Sequence, residues 1–328
     1  MKLLVATTQS FDPLAIATQL ARRFDLKQCD IDVLHVVGGG INNAISKAAN
    51  VVQLRPVPPD PHAPQMAMRQ LSEMLQQYYE ARTVRTHLER GDKAGIVLEF
   101  SRARECDVLI LTEPHGHSGT LLRDRQQSAR RILDWAPCTV QILRQPDEQA
   151  GKCSVLIPLP CASGVALTSD DIRAVGMDAG SCVHLLGIMP PSIDEQLFEA
   201  SPAALLRTIQ QARDAAAAAR AQLERISRDF LADTALQLHF EHSVAEGEWG
   251  TVALKAVRRL RPQTLVLNRS WDPGLRAIRA RHDTAYVALT AACTTLFIDA
   301  GQRMPVPAGR TTQGRRISVE QNARSGLA

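Results

Sequence analysis

One ordering of short apolar runs occurs twice in this chain of 328 residues, about 150 residues apart. A period of that length indicates a duplicated domain rather than a solenoid of small repeats. In the first copy residues 108–111 are Val-Leu-Ile-Leu, preceded by Asp107 and closed by Glu113 and Pro114. That length and those flanks suit a strand buried on both faces in a parallel sheet. Leu121, Leu122, Ala129, Ile132 and Leu133 then recur at helical spacing until Pro137 stops them, and residues 140–143 form a second apolar run. In the second copy residues 264–268 and 295–298 take the places of these two strands.

The remainder of each copy fits the same order. Residues 2–7 read as a strand, and Asp12 before Pro13 as a helix N-cap with proline at the first helical position. Residues 31–37 are the second strand. Gly38-Gly39-Gly40 and the proline-rich residues 55–64 bracket a long loop, which at such length is functional or disordered. Residues 66–79 read as a helix with Met66, Leu71, Met74, Leu75 and Tyr78 toward the core. Val84, Thr86 and Leu88 alternate as a third strand, and Gly91-Asp92 opens a helix carrying Ile96, Val97, Phe100 and Ala103. The order β-α-β-α-β-α-β-α-β predicts an α/β domain with a five-stranded parallel sheet over residues 1–145. Residues 146–151 are a polar linker, residues 152–299 a second such domain, and residues 300–328 a disordered basic tail.

In the second domain residues 154–159 and 182–188 stand for the first two strands, and Leu236, Leu238, Phe240 and His242 alternate as the third. Gly247 with Val252, Leu254 and Val257 repeats Gly91 and its helix. Leu205, Ile209, Ala212, Ala216, Ala219, Leu223, Ile226 and Phe230 recur at alternating steps of four and three. This stripe suits packing on the helix's own sheet better than on a partner helix.

Charge and cysteine usage exclude several classes. The net charge is +4, and residues 301–328, with five Arg and one Glu, account for it, so the folded body offers no basic face for nucleic acid. No run of about 18 apolar residues is present, which predicts no membrane insertion. The apolar start before Thr8-Gln9-Ser10 is too short for a signal h-region. The seven cysteines form no Cys-x-x-Cys pair and mostly sit inside apolar runs, as buried thiols do in the cytoplasm.

Residues 105–144 resemble the C-terminal motif of the universal stress protein family. Gly116-His117-Ser118-Gly119 and Ala136-Pro137-Cys138 match that motif, and Leu34-His35-Val36-Val37 looks like the family's second strand. The resemblance spans about residues 1–145 and 152–299. It implies a Rossmann-like fold of the adenine nucleotide alpha hydrolase type, in two tandem domains. It also implies where a remnant nucleotide site would run: Thr8, Val37, Gly116, Ser118, Gly119, Gln126 and Gln127. The sequence departs from the family at Glu113, Gln126 and Gln127, where the family carries Gly, Gly and Ser, and at Thr8, where it carries Asp. In the second domain the equivalents are Pro160, Asn268, Trp271, Arg281 and His282.

The resemblance therefore implies a non-catalytic stress-response protein that binds a protein partner or small ligand and no cofactor. Intact members instead sense ATP or AMP with slow hydrolysis, and others regulate a transporter or kinase. Family members commonly dimerise through their last strands. A tandem chain can make that pairing internally, as a pseudo-dimer with Ile142 and Phe297 near the contact, or can form a homodimer.

Other motifs carry less. His115 and His117 lack a third metal ligand at suitable spacing. His239 and His242 lie three apart on a strand and so face opposite ways. His35 and His184 occupy matching places in the two copies and read as strand residues. Gly-x-Ser-x-Gly, Walker A and Gly-x-Gly-x-x-Gly are absent, as is the Ser-Gly-Gly loop of the ATP pyrophosphatases. Arg315-Arg316-Ile317-Ser318 resembles a basophilic kinase site.

Overall fold

The computed structural model describes residues 1–7, 11–38, 63–112, 121–144, 154–161, 180–191, 201–233, 237–268 and 277–298. The first half comprises β1 (Lys2–Thr7), α1 (Pro13–Arg23), β2 (Asp30–Gly38), α2 (Ala63–Gln77), β3 (Thr83–Gly91), α3 (Lys93–Ala103), β4 (Val108–Thr112), α4 (Leu121–Trp135) and β5 (Thr139–Leu143). The second comprises β6 (Val155–Pro160), β7 (Cys182–Met189), α5 (Pro202–Asp233), β8 (His239–Glu246), α6 (Trp249–Leu260), β9 (Thr264–Asn268), α7 (Ala277–Thr290) and β10 (Thr294–Ile298). The 146–151 linker and the 300–328 tail lie outside the described residues.

Local chemistry sets the boundaries. The Asp12 side chain accepts from the N–H groups of Leu14 and Ala15, and Pro13 follows it, so α1 begins where two orphan donors are satisfied. Gly91 and Gly247 close β3 and β8 with φ of 146° and 142°, a region that a Cβ makes costly. A Cβ on Gly91 would lie 3.1 Å from Ile96 Cδ1, and one on Gly247 would lie 2.9 Å from Val252 Cγ2. The helix therefore starts hard against the strand end in both halves.

All ten strands form one sheet in the order β3-β2-β1-β4-β5-β10-β9-β6-β7-β8. Each half thus repeats the order 3-2-1-4-5 with parallel pairing. The two last strands pair antiparallel, Ile142 opposite Thr295 and Phe297 opposite Val140. β5, β9 and β10 are buried along their whole length, as the inner strands of a parallel sheet are. The outermost strands β3 and β8 are half exposed and carry the charged residues.

One face of the sheet holds a single core that runs through both halves, with Leu4, Leu109, Val140, Ile142, Phe297, Leu265 and Leu156 beneath α3, α4, α6 and α7. On the opposite face the core divides into one cluster under α1 and α2 and another under α5. α4 packs on α7 across the seam. The Arg144 guanidinium crosses it too, donating to the carbonyls of Ala288 (3.0 Å), Leu289 (3.0 Å) and Cys293 (3.0 Å) and to the Thr295 hydroxyl (3.3 Å). A cation at the C-terminal carbonyls of α7 complements the helix dipole.

Three sequence expectations are corrected. Met66 and Tyr78 are 60% and 76% exposed and lie off the core. β8 begins at His239, so Leu238 is buried ahead of the strand, while Leu236 lies outside the described residues. α5 runs for 32 residues, and only its later part lies on the sheet.

Candidate functional site

In a parallel sheet of this type ligands meet the carboxyl ends of the strands near the switch in strand order, here β1 and β4 in one half and β6 and β9 in the other. The two crevices are built differently. In the first, β1 ends on Thr7, fully buried, whose Oγ1 shares a 2.9 Å hydrogen bond with His35 Nδ1 of β2. The Phe11 ring lies 6.3 Å from the imidazole. Burial, and then the charge of Lys93, hold the His35 pKa below its ordinary value, so the ring is neutral at pH 7. Thr112, the last residue of β4, donates to the Ala6 carbonyl (3.4 Å). Of the expected remnant-site residues, Val37 is the penultimate residue of β2 and is 37% exposed, and Gln127 is exposed on α4. Gln126 belongs to α4, but its side chain, like Thr8, Gly116, Ser118 and Gly119, lies outside the described residues, as do His115 and His117.

In the second half β6 ends on Pro160, and the Cys161 N–H donates to the Ile188 carbonyl (3.0 Å). The neighbouring β7 residue is Gly187, where a Cβ would lie 2.8 Å from Cys161 Sγ, so only glycine admits the thiol. Beyond this point a cavity of about 540 Å³ opens between the ends of β7 and β8 and the overhanging α5. Met189, Pro190 and Pro191 form one side, and Ala212, Ala215, Ala218 and Ala219 the other. Thr208, Gln211 and Gln222 supply hydrogen-bonding groups, and Glu246 supplies the charge. Sequence reasoning missed this cleft, whose signal was the length of the four-three stripe past the reach of a sheet strand. Asn268, at one of the family's glycine positions, is buried at the end of β9.

His35 and His184 do not match. His35 faces Thr7 and Phe11 on the α1 side, whereas His184 faces the core shared by both halves. There its Nε2 lies 2.8 Å from Ser243 Oγ and its Nδ1 3.4 Å from Glu241 Oε2. Its counterpart in the first half is Asp32 on β2, which contacts His87 (2.8 Å) and Arg85 (3.3 Å) on edge strand β3. In each half, then, a buried ionisable residue ties the edge strand to its neighbour. His242 faces Glu224 of α5 (3.9 Å), and His239 lies beside Glu241 (3.9 Å) on the other side. Among the described residues no group of three or more His, Cys, Asp or Glu could hold a metal, and no helix is long and apolar enough to cross a membrane.

No protein-family model matches the chain, and no curated protein matches it in sequence. Solved structures do. A functionally unknown protein from Pseudomonas aeruginosa PAO1 aligns with a TM-score of 0.55 at 15% identity, over 91% of this chain and 92% of its own. A protein described as a universal stress protein, from Pseudomonas aeruginosa UCBPP-PA14, aligns with a TM-score of 0.54 at 17% identity, over the same shares. The chain has the universal stress protein fold. In that fold the paired last strands make one chain the equivalent of two domains set about a pseudo-twofold axis. The cleft under α5 belongs to the second of them, and the Thr7–His35 contact to the first.

Proposed function

We propose that the protein is a non-catalytic universal stress protein of the cytoplasm, that it acts in a stress response by holding a small ligand or protein partner in the cleft under α5, and that ATP and AMP bind it weakly or not at all. The observation that carries this reading is the cleft lining, which among the described residues contains an acid, Glu246, and no Lys or Arg. A polyphosphate needs positive potential or a glycine turn that presents backbone N–H groups. An apolar-walled cavity with a few convergent polar groups suits a small organic ligand or a peptide side chain. Pro160 and the buried Asn268 at the ends of β6 and β9, in place of Asp and Gly, agree with this. So do Thr8, Glu113, Gln126, Gln127, Trp271, Arg281 and His282 in the sequence. The six described cysteines form no disulfide with one another, which supports a reducing compartment.

Titration calorimetry with ATP and with AMP is expected to give no dissociation constant tighter than about 10 μM, roughly 7 kcal/mol of binding. A tighter value for either nucleotide overturns the reading. Ala215→Trp, which fills the cleft, is expected to abolish the melting-temperature shift given by any compound that stabilises the wild type in a ligand screen.

A further inference from the structure

α5 is 17 residues longer than α2, its counterpart in the first half. At about 1.5 Å per residue the excess is roughly 25 Å of helix. Its later part is used in the ordinary way, with Leu223 and Phe230 buried against the sheet and Ala219 buried where the cleft begins. The same stripe continues backward at steps of three and four through Ala216, Ala212, Ile209 and Leu205, and there it is open: Leu205 and Ile209 are 46% and 42% exposed, and the adjacent Leu206 is 67% exposed. Alternating steps of three and four are the seam of a coiled coil.

We propose that this overhang joins two copies of the chain, paired antiparallel about a twofold axis between Gln210 and Gln211. The choice of a second copy rests on self-complementarity. The open stripe consists of two large residues followed by two small ones, so reversing it sets Leu205 of one copy on Ala216 of the other and Ile209 on Ala212, a knob against a hole in every layer. Parallel pairing would stack Leu on Leu and Ala on Ala, leaving gaps in half of the layers. The flanks agree with the antiparallel register. It sets Leu206 beside Arg213 of the other copy and Thr208 beside Ala215, and no like charges oppose one another. An interface of two short helices is small, so the dimer is weak and in exchange with monomer. The seam shares Ala212, and at its flank Thr208 and Ala215, with the cleft lining, so a second copy and a cleft ligand compete for that wall of α5.

Light scattering after size exclusion at high micromolar concentration is expected to give a mass approaching twice the 35.9 kDa of the chain. Ile209→Glu is expected to weaken dimerisation at least about tenfold without lowering the melting temperature. The register is tested at Leu206. Leu206→Glu faces Arg213 of the other copy and should tighten the dimer about threefold, and Leu206→Lys should loosen it by a similar factor. A wild type that stays monomeric overturns the proposal, as do Leu206 variants that shift the equilibrium in the same direction. Ile209 is not among the cleft-lining residues, so an Ile209→Glu variant that is monomeric yet keeps the melting-temperature shift given by a cleft ligand separates this outcome from that of the ligand reading.

Discussion

Thr7 and His35 meet at the ends of β1 and β2 through a hydrogen bond. Burial holds both His35 and His184 below the ordinary histidine pKa, in the latter case against the opposing pull of Glu241. Each ring is therefore neutral in the folded protein near pH 7. Below the unfolded value of about 6.5 the denatured chain takes up protons that the native rings resist, so stability falls as the pH falls. The melting temperature is expected to drop between about pH 7.5 and pH 5, and to drop less in His35→Gln/His184→Gln. Identical pH slopes for the two proteins would mean that neither ring is buried neutral. The sequence showed both histidines as strand residues but not their faces. The counterpart of His184 is Asp32, three positions before His35, and in a strand an odd shift exchanges one face of the sheet for the other. The pairing partners that decide the register, Thr7 for His35 and Glu241 for His184, are 28 and 57 residues away.

Among the elements, those fixed by a local requirement were legible. Asp12-Pro13 starts a helix because a side-chain acceptor and a preset φ are both in place. Gly91 and Gly247 end their strands because the backbone there takes a φ that other residues rarely adopt. Replacing either glycine with Ala is expected to cost ~1–3 kcal/mol in urea unfolding. The loss should be larger at Gly247, where the Val252 methyl is closer, and Gly247→Ala/Val252→Ala should recover part of it. Elements fixed by context were less legible. β8 is an edge strand with an irregular burial pattern, so alternation misplaced its start. α5 shows one continuous stripe although the sheet beneath it ends near Ala219, and nothing in the stripe marks that end. For the same reason the cleft could not be read from sequence: its walls come from α5 and from residues 161, 189–191 and 246, which no local pattern joins.

At the scale of the molecule, the repeat made the tandem sheet readable, and the last-strand pairing followed from the cost of leaving an apolar edge open. The role of Arg144 did not follow, because its partners lie some 150 residues away and are backbone carbonyls that carry no sequence signal. The seam is open to test. Ile142→Pro removes a ladder N–H from a strand paired on both sides, and is expected to enlarge the radius of gyration in solution scattering. Arg144→Met keeps the packing volume but strips the α7 carbonyls of their donor, and is expected to cost ~2–4 kcal/mol in stability without a change in size. Compact scattering from Ile142→Pro would mean that the halves do not depend on this pairing. Synthesis proceeds from the N-terminus, so β5 leaves the ribosome well before β10 exists. For the interval needed to translate some 150 further residues, the finished first half presents a naked apolar edge that only the later half can cover. On a polysome the nearest complementary strand belongs to the neighbouring nascent chain, so slow translation or crowding favours exchange of β10 between molecules, a domain-swapped product identical in its local pairing to the monomer.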